Sequence, residues 1–334
     1  MTILVTGGTG YIGSNTVVKL IENGYDVIIV DNFSNSKPVV LEKLKKITGK
    51  DIKFYEIDLC DKKKLKKVFK ENKIDAVIHF AGFKAVGESV AKPLMYYRNN
   101  IDSTLSLLEL MVEFKVKKIV FSSSATVYGD PEELPIKETA KLSVTNPYGA
   151  TKLYIEGILK DLYVSDNEFR IAILRYFNPV GCDDTGLLGE DPNGIPNNLM
   201  PYIVKVANKE LPCLSIFGND YDTKDGTGVR DYIHVVDLAI GHVKALEFLD
   251  KNAKIEYYNL GTGRGYSVLE MVNTFQEVNN VRVPYKFAPR RDGDIATCYA
   301  DTSKASKELN FKAEYELNDM VKSAYNYILK NKEK

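Results

Sequence analysis

Short apolar runs alternate with helix-like stretches along the first half of the chain. Residues 2–6 are mostly apolar and lead directly into glycines. Such a short apolar run is typical of a strand that is buried on both faces. Similar runs recur up to residue 176, between stretches whose apolar residues have helical spacing. The predicted strands are 2–6, 26–30, 53–57, 76–80, 118–121 and 169–176, and the predicted helices include 39–47, 61–71, 93–114 and 147–164.

Alternation of strands and helices predicts a parallel sheet, because parallel neighbours must be joined by a crossover connection. These crossovers are right-handed and place helices on both faces of the sheet. The sequence therefore predicts the α/β fold class, with a doubly wound parallel sheet of the Rossmann type.

The pattern changes after residue 177. Residues 178–201 are rich in Gly, Asn, Asp and Pro and are too long for a simple connection, and such loops often carry function. We predict a first domain over 1–177 and a smaller mixed α/β lobe over 178–334, with segments around 232–260 returning to the first. The later predicted elements are helices 199–208, 235–249, 268–277 and 319–329 and strands 214–217 and 257–259.

The composition excludes several classes of function. The length of 334 residues suits one large or two medium domains. Lys plus Arg and Asp plus Glu both number 45, so no net charge drives binding to nucleic acid or to a membrane surface. The lysine-rich stretch 62–67 is predicted to be the solvated face of a helix whose apolar face carries Leu65, Val68 and Phe69.

Cysteine spacing and hydropathy restrict the kinds of site and the cellular compartment that we expect. The cysteines form no C-x-x-C pair, which disfavours a disulfide framework and a zinc site, and we expect no bound metal. No apolar run is long enough to span a bilayer, and no secretory leader is apparent before the first strand. We therefore expect a cytoplasmic protein in a reducing compartment. The four cysteines are Cys60, Cys182, Cys213 and Cys298.

The turn after the first strand carries the first candidate site. Gly7, Gly10 and Gly13 are spaced G-x-x-G-x-x-G between a predicted strand and a helix. Their expected roles are a tight turn, close backbone approach to a pyrophosphate and close packing of the helix on the strand. Asp31 ends the next strand, about 20 residues later, where an acid binds the ribose 2′-hydroxyl of NAD. This order of elements favours a site for NAD, rather than NADP, over a merely structural turn.

A second candidate site joins a helix start to a strand end. Tyr148 and Lys152 are four residues apart and so share one face of a predicted helix, while Ser124 follows the fifth predicted strand. A lysine ammonium beside the phenol would lower the pKa of Tyr148 from its usual value near ~10. The tyrosine would then take a proton from a substrate hydroxyl, with Ser124 relaying or positioning it. Because Tyr-x-x-x-Lys also occurs by chance, this prediction depends on the dinucleotide turn upstream.

Both stretches resemble the extended short-chain dehydrogenases/reductases. Longer peptides narrow the resemblance to the nucleotide-sugar 4-epimerases that act on UDP-glucose and UDP-galactose, from Thr2 to about Asp301. These peptides are DNF at 31–33, HFAGFKAVGES at 79–89, SATVYG at 124–129, RYFNPVG at 175–181, NNLMP at 197–201 and GVRDYIHV at 228–235.

The resemblance implies NAD as the cofactor and assigns residues to its parts. These residues form the phosphate turn and surround the adenosine ribose, the adenine and the nicotinamide of the cofactor. The residues so assigned are Gly7, Gly10, Tyr11, Ile12, Gly13, Asp31, Asn32, Phe33, Ser34, Asn35, Ser36, Asp58, Leu59, Phe80, Ala81, Gly82, Phe83, Lys84, Asn99, Ser124, Tyr148, Lys152 and Phe177.

The resemblance also implies a UDP-hexose substrate. Arg230 and Arg291 would clamp its diphosphate, for which the guanidinium fork is suited, and Asp294 would bind the uridine ribose. The residues assigned to the substrate are Lys84, Ser124, Tyr148, Asn178, Asn198, Leu199, Ser215, Ile216, Phe217, Arg230, Arg291, Asp294 and Cys298.

The implied reaction inverts C4 of the sugar. Tyr148, with Ser124, would remove the O4 proton while a hydride passes to NAD, and the 4-keto sugar would turn before the hydride returns. The runner-up is a nucleotide-sugar 4,6-dehydratase or decarboxylase. A dehydratase needs a further acid and base after the strand-end serine, typically Asp-Glu, where this chain has Ala125-Thr126. A non-catalytic NAD sensor is a third reading, although such proteins often lack the tyrosine or the lysine.

The residue at position 298 predicts the substrate range. In the family this position lines the pocket for the sugar's 2-substituent, where a tyrosine limits members to glucose and galactose. Overpacking such a site costs about 1–3 kcal/mol, whereas Cys298 would leave room for an acetamido group. We therefore expect activity on the N-acetylated UDP-sugars too. The alternative is that Cys298 fills a strand core and Tyr299 enters the pocket.

Two helices predict a homodimer. Helices 93–114 and 147–164 carry apolar residues on more than one face, so that one face would cover the sheet and another would pair with a second copy. The alternative is burial under the second lobe. The apolar residues are Leu105, Leu107, Leu108, Met111 and Val112 on the first helix and Ile155, Ile158, Leu159, Leu162 and Tyr163 on the second.

Overall fold

Strands and helices alternate through the first half of the chain, as the apolar pattern predicts. The computed structural model describes residues 1–191, 196, 198–291 and 293–331, so that residues 192–195 and 197 of the predicted functional loop 178–201 lie outside the described part. The strands are β1 (Thr2–Thr6), β2 (Asp26–Asp31), β3 (Lys53–Glu56), β4 (Ala76–His79), β5 (Lys118–Ser124), β6 (Arg170–Tyr176), β7 (Asn178–Val180), β8 (Leu214–Phe217), β9 (Val229–His234), β10 (Ile255–Leu260), β11 (Gly265–Ser267), β12 (Tyr285–Ala288) and β13 (Thr297–Cys298).

Helices connect most of these strands. A 3₁₀ helix (Ala125–Tyr128) directly follows β5. The α-helices are α1 (Tyr11–Glu22), α2 (Val39–Thr48), α3 (Lys62–Glu71), α4 (Val86–Ala91), α5 (Pro93–Glu113), α6 (Pro147–Ser165), α7 (Leu199–Ala207), α8 (Val235–Lys251), α9 (Val268–Asn279), α10 (Ser303–Leu309) and α11 (Leu317–Asn331). Among the described residues, no helix is long and apolar enough to cross a membrane.

The main sheet has seven strands in the order β10-β6-β5-β4-β1-β2-β3. Every neighbouring pair in it is parallel. The order of the strands reverses between β1 and β4, and in doubly wound sheets this reversal opens a crevice at the carboxyl ends of the strands. The predicted fold class is confirmed.

The sheet is buried on both faces, which explains its continuous apolar strands. Ile3, Leu4 and Val5 of β1 are wholly inaccessible to solvent. One apolar cluster joins the sheet to α1, α2 and α8, and a second joins it to α3, α5 and α6. On α3 the buried residues are Leu65, Val68 and Phe69, which confirms the predicted inward face of the lysine-rich helix.

The second lobe holds two small sheets. Strand β9 lies between β11 and β13 and also pairs with β7, while β8 pairs with β12. A third apolar cluster joins α7, α9 and α11 to these strands. Although α8 and β10 come late in the chain, α8 packs on the helices of the first lobe and β10 pairs with β6. The division of the chain into domains at residue 177 stays a prediction.

The apolar pattern missed the short elements. Strands β11 and β13 span three and two residues, which is too short for any periodicity to show. Strand β9 reads Val-Arg-Asp-Tyr-Ile-His, where polar residues interrupt the apolar run. Of these missed strands, β9 and β13 line the cleft between the lobes, through Arg230, Tyr232 and Cys298.

Candidate active site

A cleft of about 1060 Å³ runs along the carboxyl ends of the main sheet and beneath the second lobe. The turn after β1, the ends of β2, β4, β5 and β6, and the start of α6 form one wall. Residues of the second lobe, among them Asn198, Phe217 and Arg230, form the other. The cleft thus lies at the reversal of strand order, where doubly wound sheets bind their ligands.

The glycine turn has the form that a pyrophosphate site needs. Gly7 has φ +70°, and a Cβ there would lie 2.8 Å from the Ala81 nitrogen. A Cβ at Gly13 would lie 2.2 Å from the Gly7 carbonyl oxygen, so α1 can approach β1 only because the residue is glycine. Gly10 stands at the N-cap of α1 and lines the cleft. The N-terminus of α1 therefore faces the cleft with its free N–H groups and partial positive charge.

Asp31 lies at the end of β2, beside that turn. Its carboxylate accepts from the backbone N–H groups of Thr9 (3.1 Å) and Phe33 (2.9 Å), and it lines the cleft. Asp31 is thus held against the glycine turn, and its carboxylate oxygens keep lone pairs that can accept from further donors. The ring of Phe33 instead packs on Phe54, with centroids 5.0 Å apart, and Phe33 is not among the lining residues.

Asn100 of α5 holds the next part of this wall in place, and no sequence pattern indicated this residue. Its side-chain oxygen accepts from the Phe83 N–H (2.8 Å), and its amide nitrogen donates to the Phe83 carbonyl and to Thr151 Oγ1, both at 3.0 Å. Thr151 precedes Lys152 in α6. The assigned cofactor turn Phe80–Lys84 is therefore tied to the helix that carries Tyr148. Asn100 follows the assigned Asn99 directly in the sequence, and nothing in the helical pattern indicates this role for it.

The start of α6 places the candidate catalytic side chains. Asn146 caps the helix by accepting from the Gly149 N–H (2.9 Å), and Pro147 occupies the first turn, a combination that favours helix initiation. Tyr148 is therefore in the first turn, and Lys152 follows one turn later. Ser124 lies close enough to the Tyr148 hydroxyl to lower the pKa of that phenol. Lys152 Nζ donates to the Ser122 carbonyl oxygen (2.7 Å) and lies 5.9 Å from the centroid of the Tyr148 ring.

The pKa of Tyr148 differs from the sequence-based prediction. Loss of water around its hydroxyl raises the pKa of Tyr148 to about 12, and the nearby Ser124 hydroxyl opposes this only in part. Burial likewise lowers the pKa of Lys152 to about 8, although the Glu156 carboxylate opposes that change. The prediction of a lowered pKa is wrong for the protein alone, because desolvation is the largest influence on the Tyr148 hydroxyl. Further positive charge at the ring is needed to favour the phenolate.

Thr126 orients the Ser124 hydroxyl. Ser124 Oγ accepts from the backbone N–H of Thr126 (3.2 Å) and lies 3.0 Å from Thr126 Oγ1, which donates to it. Since its oxygen already accepts these bonds, the Ser124 hydroxyl hydrogen is free to point to Tyr148. The serine is thus arranged to donate to a Tyr148 phenolate and to stabilise it.

None of the three histidines lines the cleft. Thr104 Oγ1 donates to the Asn100 carbonyl (2.7 Å), so it must accept from His79 Nε2 at 3.0 Å. His79 Nδ1 then accepts from Thr6 Oγ1 (2.7 Å). This histidine is neutral, and burial lowers its pKa to about 3. It acts as a structural link between β1, β4 and α5.

Most of the residues assigned to the substrate lie along the second-lobe wall. Three assigned residues of the whole set do not line the cleft: Phe33, Ser215 and Ile216. Ile216 is buried in the core of the second lobe, and Ser215 lies one residue before it. Of β8, the first and last residues, Leu214 and Phe217, line the cleft. The assigned substrate residues that do line it are Lys84, Ser124, Tyr148, Asn178, Asn198, Leu199, Phe217, Arg230, Arg291, Asp294 and Cys298.

Two guanidinium groups, those of Arg230 and Arg291, lie on this wall. Arg230 Nη1 donates to the Val229 carbonyl (2.8 Å), and no carboxylate among the described residues forms an ion pair with Arg230. Arg291 pairs with Asp294 (2.9 Å), and its guanidinium lies 4.8 Å from the centroid of the Phe217 ring. The wall therefore offers positive charge beside an aromatic face, which suits a phosphorylated ligand that carries a flat base.

On the opposite side of the cleft, Lys84 is paired with Glu190, an acid that no sequence pattern indicated. Lys84 Nζ donates to Glu190 Oε1 (2.9 Å), and the same oxygen accepts from the Asn198 amide (2.7 Å). Glu190 therefore bridges a residue assigned to the cofactor and one assigned to the substrate. Its position in a long polar loop gave no pattern from which this could be predicted.

Comparisons with known proteins agree with this geometry. A sequence profile described as GDP-mannose 4,6 dehydratase matches residues 4–324. The chain is 60% identical over 327 residues to the UDP-glucose 4-epimerase of Bacillus subtilis, covering 98% of this chain and 96% of the relative. It is 58% identical over 332 residues to the enzyme of that name from Pasteurella multocida, covering 99% and 98%.

A solved structure shows the same fold. The UDP-glucose 4-epimerase of Bifidobacterium longum in complex with NAD⁺ and UDP superposes with a TM-score of 0.97 at 56% identity, covering 99% of each chain. Identity of this extent over the whole length, together with the shared fold, shows the family. The chain belongs to the UDP-glucose 4-epimerase family of the extended short-chain dehydrogenases/reductases.

Proposed function

We propose that this protein interconverts UDP-galactose and UDP-glucose by inverting C4 of the hexose, with Tyr148 as the base and NAD as the cofactor. The observation that carries the proposal is the meeting of Tyr148, Ser124 and Lys152 with the glycine turn in one cleft. A hydroxyl that can lose its proton beside a dinucleotide site is what reversible oxidation of a sugar alcohol requires.

The cleft fits NAD by its own geometry. A Cβ at Gly7 or Gly13 would fill the turn, and Asp31 lines the cleft close to it. The carboxylate would accept from a ribose 2′-hydroxyl and repel a 2′-phosphate, which favours NAD over NADP. When bound, NAD⁺ supplies the acceptor and later the donor of the C4 hydride, and its positive ring favours the Tyr148 phenolate.

The side chains of the first lobe would handle the proton. The Tyr148 phenolate accepts the O4 proton as the sugar is oxidised, while the Ser124 hydroxyl donates to the phenolate and fixes its direction. Lys152 is anchored to the Ser122 carbonyl and contributes positive charge on the far side of the ring. In the second half-reaction Tyr148 returns the proton to O4, so the enzyme ends in its starting state.

The second lobe would hold the nucleotide and let the sugar turn. Arg230 and Arg291 would bind the diphosphate, and Phe217 would provide a face for the uracil. Inversion requires the 4-keto sugar to present both of its faces to the same side of the cleft. Holding the substrate by its nucleotide leaves the hexose free to rotate about its bond to the diphosphate.

Conversion of UDP-galactose should distinguish this function from its alternatives. We expect purified protein to form UDP-glucose, read by chromatography against standards, with no dehydrated sugar. A 4,6-dehydratase would yield a 4-keto-6-deoxy sugar, but Ala125 and Thr126 stand where its Asp-Glu pair would be, and neither can serve as acid or base for loss of water. Failure to convert the sugar while NAD is bound would favour a non-catalytic sensor.

The substrate range is proposed to include the N-acetylated UDP-sugars. Cys298 lines the cleft in β13, opposite Arg230 in the register of β9. It lies among Val127, Phe177 and Ala300, with 9% of its surface exposed. Tyr299 is not a lining residue, and its ring is close to Gly265. These positions support the reading in which a small side chain at 298 leaves room for an acetamido group.

A homodimer formed through α5 and α6 is also proposed. Several residues that predicted this interface lie in the core under the helices, namely Leu107, Leu108, Met111, Ile155 and Leu159. An outer apolar stripe is still exposed, consisting of Leu94, Leu105 and Val112 on α5 and Tyr154 and Val164 on α6. A two-fold axis along this stripe would bury it in a bundle of four helices.

The dimer has a direct test. We expect light scattering at micromolar concentration to give twice the chain mass for the wild type and the single mass for Val112→Glu/Tyr154→Glu, since four charges would face one another across the axis. Phe287→Glu, an exposed apolar position on the second lobe, should stay dimeric. A monomeric wild type would refute the proposal.

A further inference from the structure

A buried ion pair lies behind the candidate catalytic residues, and the reaction described above does not use it. Glu156 of α6 and Arg175 of β6 each expose only 2% of their surface. Arg175 Nε donates to Glu156 Oε1 (3.0 Å) and Nη2 to Oε2 (2.6 Å), in the bidentate form. Burying two charges costs solvation, and an apolar pair of similar volume is often as stable. Stability alone is therefore a weak reason for this pair.

On one side the pair joins the two elements that carry the catalytic side chains. Glu156 follows Lys152 by four residues in α6 and thus lies one turn further along the same face. Its Oε1 also accepts from Ser123 Oγ (2.6 Å), and Ser123 directly precedes Ser124 in β5. The carboxylate thereby links the end of β5 to the helix that carries Tyr148 and Lys152.

On the other side the guanidinium holds the turn after Ser124. Arg175 Nη1 donates to the Tyr128 hydroxyl (3.2 Å) and to the Glu138 carbonyl (3.1 Å). Tyr128 ends the 3₁₀ helix that Ser124 caps, and its own hydroxyl donates to Asn259 Oδ1 (2.7 Å). The 3₁₀ turn after Ser124 is therefore fixed at both ends by one continuous buried network.

We propose that Glu156 and Arg175 are a positioning pair for the reaction, which holds Ser124 against Tyr148 and keeps Lys152 in its place behind the ring. The inference rests on the proposed function, because it assigns the roles of base and donor to Tyr148 and Ser124. Proton transfer needs these groups within hydrogen-bond reach, and a displacement near 1 Å costs up to about 10²-fold in rate. Neither Glu156 nor Arg175 lines the cleft, so the pair acts through its neighbours.

The pair also sets the charge around Lys152. Glu156 is the charged group that favours the protonated lysine, while burial opposes it. Among the described residues, Tyr148 on its own helix and the neutral His79 on β4 are further titratable groups close to Lys152. Because Glu156 is the member of the pair that raises the pKa of Lys152, its replacement would let burial lower that pKa further. The alkaline decline of kcat would then begin at lower pH.

Two variants test the proposal. Ser123→Ala removes only the link from Glu156 to β5 and keeps the ion pair, so kcat should fall by about three- to tenfold with KM unchanged. Glu156→Gln/Arg175→Met removes both charges without leaving one unpaired, and kcat should fall by about 10- to 100-fold. In this double variant the alkaline limb of the pH profile should also move to lower pH. UDP affinity and NAD content should match those of the wild type.

Ser323→Ala serves as the matched control. Ser323 makes a partly buried bond to His234 (2.9 Å) in the second lobe, and its loss should leave kcat and the pH profile unchanged. If both variants fold and keep the wild-type kcat and pH profile, the proposal is overturned and the pair has a structural role only. If the double variant does not fold, an unchanged kcat in Ser123→Ala is enough by itself to overturn the proposal. A wild type that does not convert UDP-galactose would instead count against the proposed function.

Discussion

Tyr148→Phe is expected to lower kcat for UDP-galactose by about 10²- to 10⁴-fold, the range for loss of a general base. The substitution removes one hydroxyl and keeps the ring that packs above Lys152. Binding of UDP and of NAD should therefore change little, since the substitution removes the proton acceptor and little of the shape of the site. A fall in kcat at constant KM would mark an interaction that matters in the transition state and not in the ground state.

Steady-state assays and NAD content measured on the same preparations check this expectation. Tyr163→Phe is the matched control, because it removes a phenol hydroxyl from the same helix away from the cleft, and its activity should equal that of the wild type. A Tyr148→Phe enzyme within a few-fold of wild-type activity would show that another group takes the O4 proton.

The pKa values of Tyr148 and Lys152 depend on burial, which the sequence does not report. In the protein alone the pKa of Tyr148 is raised to about 12 and that of Lys152 is lowered to about 8, in both cases mainly through burial. Neither direction could be read from the sequence, where a lysine four residues from a tyrosine predicts the opposite shift for the phenol. Desolvation depends on all the atoms that pack around a group, and spacing along one helix does not report it.

The fold and the sheet-end residues were predictable for a simple physical reason. Parallel strands buried on both faces are continuous apolar runs, and their carboxyl ends must meet at one edge. Gly7, Asp31 and Ser124 each follow such a run, so their meeting in one cleft follows from topology. Phe33 shows the limit of the same logic, because a positive φ of 55° in the loop after β2 accompanies a ring packed on β3 instead of in the cleft.

The buried polar contacts were not predictable. Glu156 lies in a helix where an acid four residues after a lysine is typical of a solvated face, yet it is almost wholly buried. Its partner Arg175 comes from a strand 19 residues away. Asn100 and Glu190 likewise act through contacts between distant segments. Such pairings depend on how the elements pack, and a single sequence contains no periodic signal for them.

The substrate range offers the second large effect, and it depends on one side chain. Cys298 is packed among Val127, Phe177 and Ala300 at the edge of the cleft, so a larger side chain at 298 must extend into open cleft space. A tyrosine there would occupy the volume that an acetamido group needs, and overpacking of this kind costs about 1–3 kcal/mol. The hydroxyl of a plain hexose is much smaller and should still fit.

We therefore expect the wild type to interconvert UDP-N-acetylglucosamine and UDP-N-acetylgalactosamine as well as the plain sugars. In Cys298→Tyr, kcat/KM for the N-acetylated pair should fall by roughly 5- to 150-fold, which is the factor that corresponds to that free energy. Conversion of UDP-galactose should be retained. Cys298→Ala, which stays small, should keep both activities and so separates loss of the thiol from gain of volume. Cys298 already leaves the pocket open in the wild type. A wild type that is inactive on the N-acetylated pair would therefore show that residue 298 does not set the substrate range.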